Sequence, residues 1–396
     1  MTIEFLIILF LLISFFFSLF YQLFFFIKIT FHSNNISSDK GVISSFNDKN
    51  VGLSIIICAK NELENLKKNL PNIIDQNELS IVFNDSHFNF KSEIIVVNDQ
   101  STDDSLIYLQ TLEKQHDCLK IVNIDRSVNH SEGKKFALTL GIKTAKFDYL
   151  LMTDADCCPK SRNWSNIIFK ALLSNNNDLD VILGYSPYRK QKGILNKLIR
   201  FDTFVVAQNY LSYALRNLTY MGVGRNLAYK KKIFFDNKGF ASHIHIPSGD
   251  DDLFIQEVSS DKNIKIGVEF SRDTHMVSEV TNSWKDWIYQ KRRHLSTSSF
   301  YKIKFKILLM IYPLSQIFFL MSLIFAFLFK LNIVFVFTVL FLKLLISYTV
   351  NYKSMRTLDV RDLYLLHPFY EVLHLFIQAN FVILSIFHKT KKWNRK

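Results

Sequence analysis

The stretch SIIICAKNE at residues 54–62 ends a β-branched run in a polar turn and then opens a helical pattern. Strand-like runs recur at 93–98, 120–123 and 149–153, and helical patterns separate them, the clearest at 133–145. Strands that alternate with helices of about 10 to 15 residues predict a parallel sheet that is covered on both faces. In such sheets, ligands bind beyond the carboxyl ends of the strands.

Polar side chains gather at those predicted strand ends. The residues that follow the first, second and fourth strands are Asn61, Glu62, Asp99, Asp154 and Asp156. We expect them to share one crevice, although they are far apart in sequence. Acids after strands also commonly cap the next helix, and for Asp103 that structural interpretation is sufficient.

Asp154 and Asp156 are harder to explain as helix caps, because residues 157–159 (CCP) separate them from the next helix. Two carboxylates this close repel each other unless a cation compensates them. Mg²⁺ is held by one or two carboxylates and shares its ligands with phosphate oxygens, so the pair predicts a metal-bound nucleoside diphosphate. No P-loop is present and no GxGxxG follows the first strand. Basic side chains such as Lys134 must then meet the remaining phosphate charge.

The composition excludes several classes of protein. The 396 residues include 48 Lys+Arg and 35 Asp+Glu, which gives a net charge of +13, and 49% are apolar, with 38 Phe. This chain is too apolar to be disordered and, at 21% charged residues, too charged to lie wholly in a membrane. The four Cys form no CxxC pair, which argues against a disulfide scaffold and a structural zinc site. Anionic lipid and anionic ligands explain the positive charge better than nucleic acid.

Long apolar runs lie at both ends of the sequence. Residues 1–31 contain an apolar run at 5–27 that predicts a transmembrane anchor, followed by a linker at 32–50. A C-terminal membrane region at 304–396 contains predicted spans at about 307–329 and 333–350, a third segment at 364–387 and a basic tail. That third segment carries His367, Glu371, His374 and Gln378, and both a spanning and an interfacial arrangement remain open.

Basic residues near the predicted spans indicate their orientation. Lys28 and Lys40 follow the first span, and Lys302 precedes the second, which places residues 51–303 in the cytoplasm. Basic residues also flank 364–387 on both sides, which favours a re-entrant or interfacial segment there. Within 51–303, an interfacial helix is predicted at 283–300, with two Trp residues on one side.

The ordered motifs resemble family 2 glycosyltransferases of the GT-A fold. The nearest resemblance is to the membrane-embedded synthases for cellulose, hyaluronan and poly-N-acetylglucosamine, and it covers residues 53–301. The matching motifs are SIIICAKNE (54–62), VVNDQSTD (96–103), EGKK (132–135), TDAD (153–156), SGDDDL (248–253) and QKRRH (290–294). The resemblance implies an α/β fold with a mixed, mostly parallel sheet, flanked by N- and C-terminal transmembrane helices.

The resemblance also implies a role for each matching residue. Those expected to bind the donor nucleotide and diphosphate are Ala59, Asn61, Glu62, Asp99, Lys134, Asp154 and Arg293. Asp154 and Asp156 would hold Mg²⁺ or Mn²⁺, and Gln290, His294 and Asp252 would face the acceptor. Asp251 is the expected catalytic base, with Asp250 as the alternative because three acids in a row leave the register open. His294 stands where the family carries Trp, which puts the acceptor contact in doubt.

The implied function is inverting, metal-dependent transfer of a sugar from a nucleotide-sugar, expected to be a UDP-sugar. The acceptor would be a glycan or a lipid-linked molecule at the cytoplasmic face of the inner (plasma) membrane, in cell-surface polysaccharide or glycolipid synthesis. A single-addition enzyme and a processive polymerase both fit. Outside enzymes, the alternative is a catalytically silent nucleotide-binding membrane subunit or a scaffold for partner subunits.

Overall fold

The computed structural model describes residues 2–32, 51–76, 78–83, 86–125, 133–173, 179–246 and 248–387. The predicted linker beyond residue 32, Glu132 of the EGKK motif and the basic tail lie outside these residues. The described chain divides into two compact units. The sheet unit comprises residues 51–190 and 219–282, and the helical unit comprises residues 2–32, 191–218 and 283–387.

The described strands, in chain order, are β1 (Gly52–Ala59), β2 (Glu78–Phe83), β3 (Ser86–Asp99), β4 (Leu119–Ile124), β5 (Tyr149–Asp154), β6 (Cys157–Pro159), β7 (Val181–Leu183), β8 (Leu227–Lys230), β9 (Ile266–Val268) and β10 (Met276–Ser278). The described α-helices are α1 (Ile3–Phe20), α2 (Ile27–Phe31), α3 (Leu63–Ile74), α4 (Ser105–Glu113), α5 (Lys134–Thr144), α6 (Trp164–Leu173), α7 (Ile194–Ala214), α8 (Lys231–Asp236), α9 (Asp252–Val258), α10 (Trp284–Ser298), α11 (Ile303–Leu328), α12 (Ile333–Thr357) and α13 (His367–Phe387). A π-helical segment, Tyr21–Phe26, joins α1 to α2.

Eight of the described strands form one mixed sheet in the order β2-β3-β1-β5-β8-β7-β9, and β4 also pairs with β3. The strands β4, β3, β1 and β5 are mutually parallel, whereas β2 and β8 join antiparallel to them. Cys58 lies opposite Asp154 and Ala59 lies opposite Asn98. The carboxyl ends of β1, β3 and β5 therefore meet at one edge of the sheet.

Apolar side chains of β1 lie alternately on the two faces of the sheet, and other elements pack on both faces. Ile55 and Ile57 belong to a buried cluster that includes Trp164 of α6. On the opposite face, a Cβ added at Gly141 would lie only 2.8 Å from Ile56 Cγ2. Glycine at this position therefore lets α5 pack directly on the strand, which fixes where α5 begins at the sheet edge.

The helical unit contains three helices that are long and apolar enough to cross a membrane. They are Ile3–Phe31, Ile303–Leu328 and Ile333–Thr357, with lengths of 29, 26 and 25 residues. Buried polar contacts also link elements of this unit: Gln316 Nε2 donates to Ser18 Oγ at 2.9 Å, and Tyr21 Oη donates to Leu308 O at 2.6 Å. The predicted third segment at 364–387 corresponds to α13, whose crossing of a membrane stays an open prediction.

The fold class predicted from the sequence is confirmed: a mixed, mostly parallel sheet unit together with apolar helices at both ends of the chain. The predicted domain boundaries 51–303 stay a prediction, and the compact units group some of these residues with the membrane helices. Residues 191–218 and 283–303 belong to the helical unit. The physical reason lies in α7, where Asp202 and Arg200 are buried and paired with residues of that unit.

Candidate active site

The carboxyl end of β1 runs into a tightly bonded turn. Asn61 adopts a left-handed backbone conformation with φ 55°, which Asn tolerates better than most residues. Its side-chain Oδ1 accepts the Thr102 N–H at 2.7 Å, and its own N–H donates to Ser101 Oγ at 3.0 Å. These bonds tie the turn after β1 to the turn after β3, so the two strand ends share one surface.

The acids near this turn have different surroundings. Asp103 accepts the Leu63 N–H and the Ser105 N–H, each at 3.2 Å, which fits a helix-capping role. Glu62 is buried and accepts Asn65 Nδ2 at 2.6 Å. Asp99 is only 1% exposed, and Lys60 Nζ lies 3.9 Å from its Oδ2. Asp99 thus lies buried at the end of β3, beside Lys60.

Lys134, at the start of α5, joins acids from two distant parts of the sequence. Its Nζ lies 2.9 Å from Asp154 Oδ1 and 3.0 Å from Asp250 Oδ2. Burial by itself lowers the pKa of Lys134, but Asp154, Asp250 and Asp251 together raise it well above its ordinary value. Lys134 is therefore a permanent cation at physiological pH, held between the DxD motif and the acid motif.

The acid motif lies at the start of α9, where each carboxylate has its own partners. Asp251 Oδ2 accepts the Gly224 N–H at 2.8 Å, and its Oδ1 accepts the Asp252 N–H at 2.8 Å. Asp252 is buried and accepts the Leu253 N–H at 2.8 Å. Burial, followed by the charges of Asp250 and Asp252, raises the pKa of Asp251 to about 7. That value is suited to a group that exchanges protons near neutral pH.

Lys135, the neighbour of Lys134, fixes the loop that precedes the acid motif. Its buried Nζ donates to His243 O at 2.6 Å and to Ile246 O at 3.0 Å. Burial lowers the pKa of Lys135 to about 8. The two consecutive lysines thus make different contacts. Lys134 contacts the acids, and Lys135 binds the loop that precedes the acid motif.

Asp156 lies two residues after Asp154, next to the short strand pair formed by β6 and β10. In that pair Cys157 lies opposite Ser278, and the Cys157 thiol donates to Asp156 Oδ1 at 3.3 Å. Asp154 and Asp156 are both partly exposed. Their carboxylates therefore face accessible space rather than the core.

The chemistry of this pair fits a divalent metal that is bound together with a ligand. Within the described ranges, no group of three or more His, Cys, Asp or Glu side chains could hold a metal ion. Two carboxylates are, however, what Mg²⁺ takes from a protein when phosphate oxygens and water complete its shell. Asp154 and Asp156 would supply those two carboxylates.

Comparison with known proteins identifies the segment from β1 to α8. Residues 54–236 match the family model of glycosyl transferase family 2. These residues form a family 2 glycosyltransferase domain. The match confirms the resemblance inferred from the motifs and the expected enzyme class. It ends before the acid motif at 248–253 and before α10, so the roles expected of those residues stay predictions.

Two curated relatives are poly-beta-1,6-N-acetyl-D-glucosamine synthases. The one from Staphylococcus aureus (strain COL) is 28% identical over 109 residues, and the one from Staphylococcus epidermidis is 32% identical over 105 residues. These matches cover 28% and 26% of this chain but only 23% and 22% of the relatives' own lengths. The similarity therefore concerns one segment of each protein.

Among solved structures, a mannosyltransferase from Pyrobaculum calidifontis in complex with GDP-Man and Mn²⁺ is similar in fold. Its TM-score is 0.55 at 16% identity, and the alignment covers 95% of this chain and 99% of that chain. At this identity the likeness supports the GT-A fold class and nothing more specific.

The acid motif contacts a short turn that precedes β8. Gly224–Asn226 forms a single 3₁₀ turn before β8. Gly224 binds the Asp251 carboxylate, and Arg225 stacks on Tyr188, with its guanidinium carbon 4.6 Å from the ring centroid. No local pattern in the sequence signals these two contacts, because the partners lie 27 residues after and 37 residues before the turn.

Gln290, Arg293 and His294 lie on α10 in the helical unit, and their expected contacts with donor and acceptor stay predictions. Lys291, which sequence reasoning passed over, is buried in the same helix, and its Nζ lies 2.7 Å from Asp202 Oδ2. Asp202 Oδ1 also accepts Gln378 Nε2 at 2.7 Å. This ion pair therefore fixes α10 against α7 within the helical unit.

Proposed function

We propose that this chain is an inverting glycosyltransferase that moves a sugar from a nucleotide-sugar donor to a glycan or lipid-linked acceptor. The observation that supports this most strongly is the contact of one partly buried cation, Lys134, with both Asp154 and Asp250. It joins a carboxylate pair suited to a metal-bound diphosphate to a carboxylate group suited to proton transfer. Sugar transfer needs both functions within the reach of one substrate.

On the donor side, Asp154 and Asp156 would hold Mg²⁺ or Mn²⁺ together with the diphosphate. The metal, when bound, would offset the negative charge that grows on the diphosphate as the glycosidic bond breaks. Lys134 lies 2.9 Å from Asp154 and would supply a further positive charge to the leaving group. Asp99 and Glu62 lie at the ends of neighbouring strands, where the nucleoside would bind.

On the acceptor side, Asp251 would remove the proton of the attacking hydroxyl. The hydroxyl oxygen bonds to the anomeric carbon as the bond from that carbon to the diphosphate breaks, and the proton passes to Asp251. Attack from the face opposite the leaving diphosphate inverts the configuration. Two backbone N–H groups hold the Asp251 carboxylate, and burial raises its pKa to about 7. A positioned base of this kind contributes about 10² to 10⁴ in rate.

The setting we propose is the cytoplasmic face of the inner (plasma) membrane, with the chain crossing it several times. Three apolar helices of sufficient length support membrane insertion. Lys302, Lys304 and Lys306 lie at the start of α11 and favour a cytoplasmic position for the residues before it. An acceptor that is made or anchored at that surface, in polysaccharide or glycolipid synthesis, fits this arrangement.

The test uses the full chain purified in detergent. Calorimetry with UDP and with GDP, each with and without Mn²⁺ or Mg²⁺, should detect metal-dependent binding of at least one of them. Donor hydrolysis is then measured with the matching nucleotide-sugars, starting with UDP-N-acetylglucosamine and GDP-mannose. Asp156→Ala should remove metal-dependent nucleotide binding and turnover, because the metal loses one of its two protein carboxylates.

Asp148→Ala is the matched control, since Asp148 is an exposed acid that precedes the same strand β5. It should bind nucleotide and turn over donor like the wild type. Absence of binding by either nucleoside diphosphate with either metal would refute the proposal. Binding without any donor turnover would support the silent-subunit alternative. The length of the product on a purified acceptor separates single addition from polymerisation.

A further inference from the structure

Arg225 is a cation of the sheet unit that no step of the proposed reaction uses. It lies in the turn between Val223 and β8, and its guanidinium carbon is 4.6 Å from the centroid of the Tyr188 ring. Its Nη2 donates to Ser186 O at 3.3 Å. The stacked ring and this one carbonyl fix the plane of the guanidinium group.

The residues on either side of Arg225 are fixed independently. Asn226 is fully buried: its Oδ1 accepts Trp164 Nε1 at 3.0 Å, and its Nδ2 donates to Tyr185 O at 2.9 Å and to Thr274 O at 2.8 Å. On the other side, the Gly224 N–H donates to Asp251 Oδ2 at 2.8 Å. The direction of the Arg225 side chain is therefore set by a rigid turn that also holds the proposed base.

The two terminal nitrogens of the guanidinium group differ in their contacts. Nη1 is buried, and it makes no hydrogen bond to any residue that the structure describes. Burial by itself lowers the pKa of Arg225, but its neighbours, which include Asp156 and Asp154, raise it above its ordinary value. A buried and unsatisfied charged donor is costly in a folded protein. The unsatisfied Nη1 lies near two carboxylates suited to a metal, which indicates that a bound ligand supplies its hydrogen-bond acceptor.

We infer that Arg225 donates through Nη1 to an oxygen of the β-phosphate of the donor diphosphate, the phosphate whose bond to the sugar breaks. This inference rests on the proposed function. Guanidinium groups match phosphate geometry with planar, charge-assisted hydrogen bonds. A nucleoside diphosphate bound at Asp154 and Asp156 would bring such an oxygen to the place where Nη1 lacks a partner. Arg225 would then be a contact to the leaving group within the sheet unit, in addition to Lys134.

The experiment compares nucleoside diphosphates with nucleoside monophosphates. Calorimetry is performed in Mn²⁺ with the full chain, using UDP and UMP or GDP and GMP, whichever pair the wild type binds. Arg225→Gln should weaken diphosphate binding about tenfold to hundredfold, the range expected for one charge-assisted hydrogen bond. It should leave monophosphate binding within about twofold, because the contact is to the phosphate that the monophosphate lacks.

Arg189→Gln is the matched control, because Arg189 is a half-exposed arginine of the same unit that pairs with Glu279 at 2.8 Å. It should bind both nucleotides like the wild type. Arg225→Lys keeps the charge and tests the contact if the glutamine variant does not fold. It should show an intermediate loss for the diphosphate alone, because an ammonium group lacks the planar stack on Tyr188.

The outcomes separate the two proposals. Wild-type diphosphate binding that is unchanged in Arg225→Gln and Arg225→Lys would overturn the role of Arg225 and leave the proposed function intact. Equal losses for monophosphate and diphosphate would also overturn it, since they would indicate a purely structural role for the arginine. If the wild type binds no nucleoside diphosphate, the proposed function fails first, and the inference fails with it.

Discussion

Asp251→Asn should separate two contributions of the proposed base to folding stability: the cost of its buried charge and the gain from its hydrogen bonds. Burial and the neighbouring acids raise the pKa of Asp251 from 3.8 to about 7. Below about pH 4 the carboxyl is neutral in both the folded and unfolded states and costs nothing. Between about pH 4 and 7 the unfolded chain loses this proton while the folded chain keeps it, so folding stability falls by about 1.4 kcal/mol per pH unit. Above about pH 7 the full penalty remains.

The asparagine variant cannot ionise and escapes this penalty. It does lose one acceptor for the Gly224 or Asp252 N–H, which costs about 1 kcal/mol at every pH. The stability of the variant relative to the wild type should therefore rise by about 2 to 4 kcal/mol between about pH 5 and pH 8. That pH-dependent part isolates the charge, because the hydrogen-bond cost cancels between the two pH values.

The assay is denaturant unfolding of the full chain, followed by fluorescence and performed in EDTA so that no metal contributes. Trp164 is fully buried in the sheet unit and provides the signal. The control is Asp148→Asn at an exposed acid of the same unit, whose relative stability should not change with pH. A stability difference for Asp251→Asn that is the same at both pH values would refute the assignment of a raised pKa to Asp251. Donor turnover in the same variant should fall by about 10² to 10⁴.

Two further predictions concern the two cationic anchors. Lys134→Gln should weaken metal-dependent diphosphate binding. It should also move the rise of turnover with pH to higher pH, because Lys134 lowers the pKa of Asp251. A pH–rate profile checks this. Lys291→Met should lower the free energy of unfolding of the helical unit by about 3 to 5 kcal/mol, because the buried Asp202 loses the Lys291 cation. Thermal unfolding checks this, with Lys285→Met on the same helix as the control variant.

The sequence was sufficient to predict the central part of the sheet. β1, β4 and β5 were predicted within two residues of their observed bounds, because their apolar runs end in polar residues; the predicted run at 93–98 covers only the second half of β3. β7 and β9 have three residues each and β8 has four, too few for a periodic pattern. Their place in the sheet depends on pairing across distant segments, such as Ile182 with Ala228. No local signal in the sequence carries that information.

The same distinction applies to the candidate site. Asp154 and Asp156 could be proposed as a metal site from the sequence, because two acids directly after a strand repel each other unless a cation is present. Arg225 could not be found, because its significance depends on its stacking on Tyr188 and on Nη1, which has no hydrogen-bond partner among the described residues. Lys291 was also missed, because its partner Asp202 lies 89 residues earlier. Sequence reasoning detects residues whose chemistry conflicts locally, and misses those whose partners only the fold supplies.

The acid motif places three consecutive carboxylates in one small volume, which is an unfavourable arrangement for stability alone. The fold compensates each acid differently: Asp250 has Lys134 at 3.0 Å, Asp251 has two backbone N–H groups, and Asp252 accepts the N–H of Leu253. Asp251 is held by backbone N–H groups rather than by a cation in the described contacts, and burial raises its pKa. A chain selected only for stability would gain by replacing it with a neutral residue. The proposed transfer would give this charge a use, because it requires a carboxylate able to accept a proton at this position.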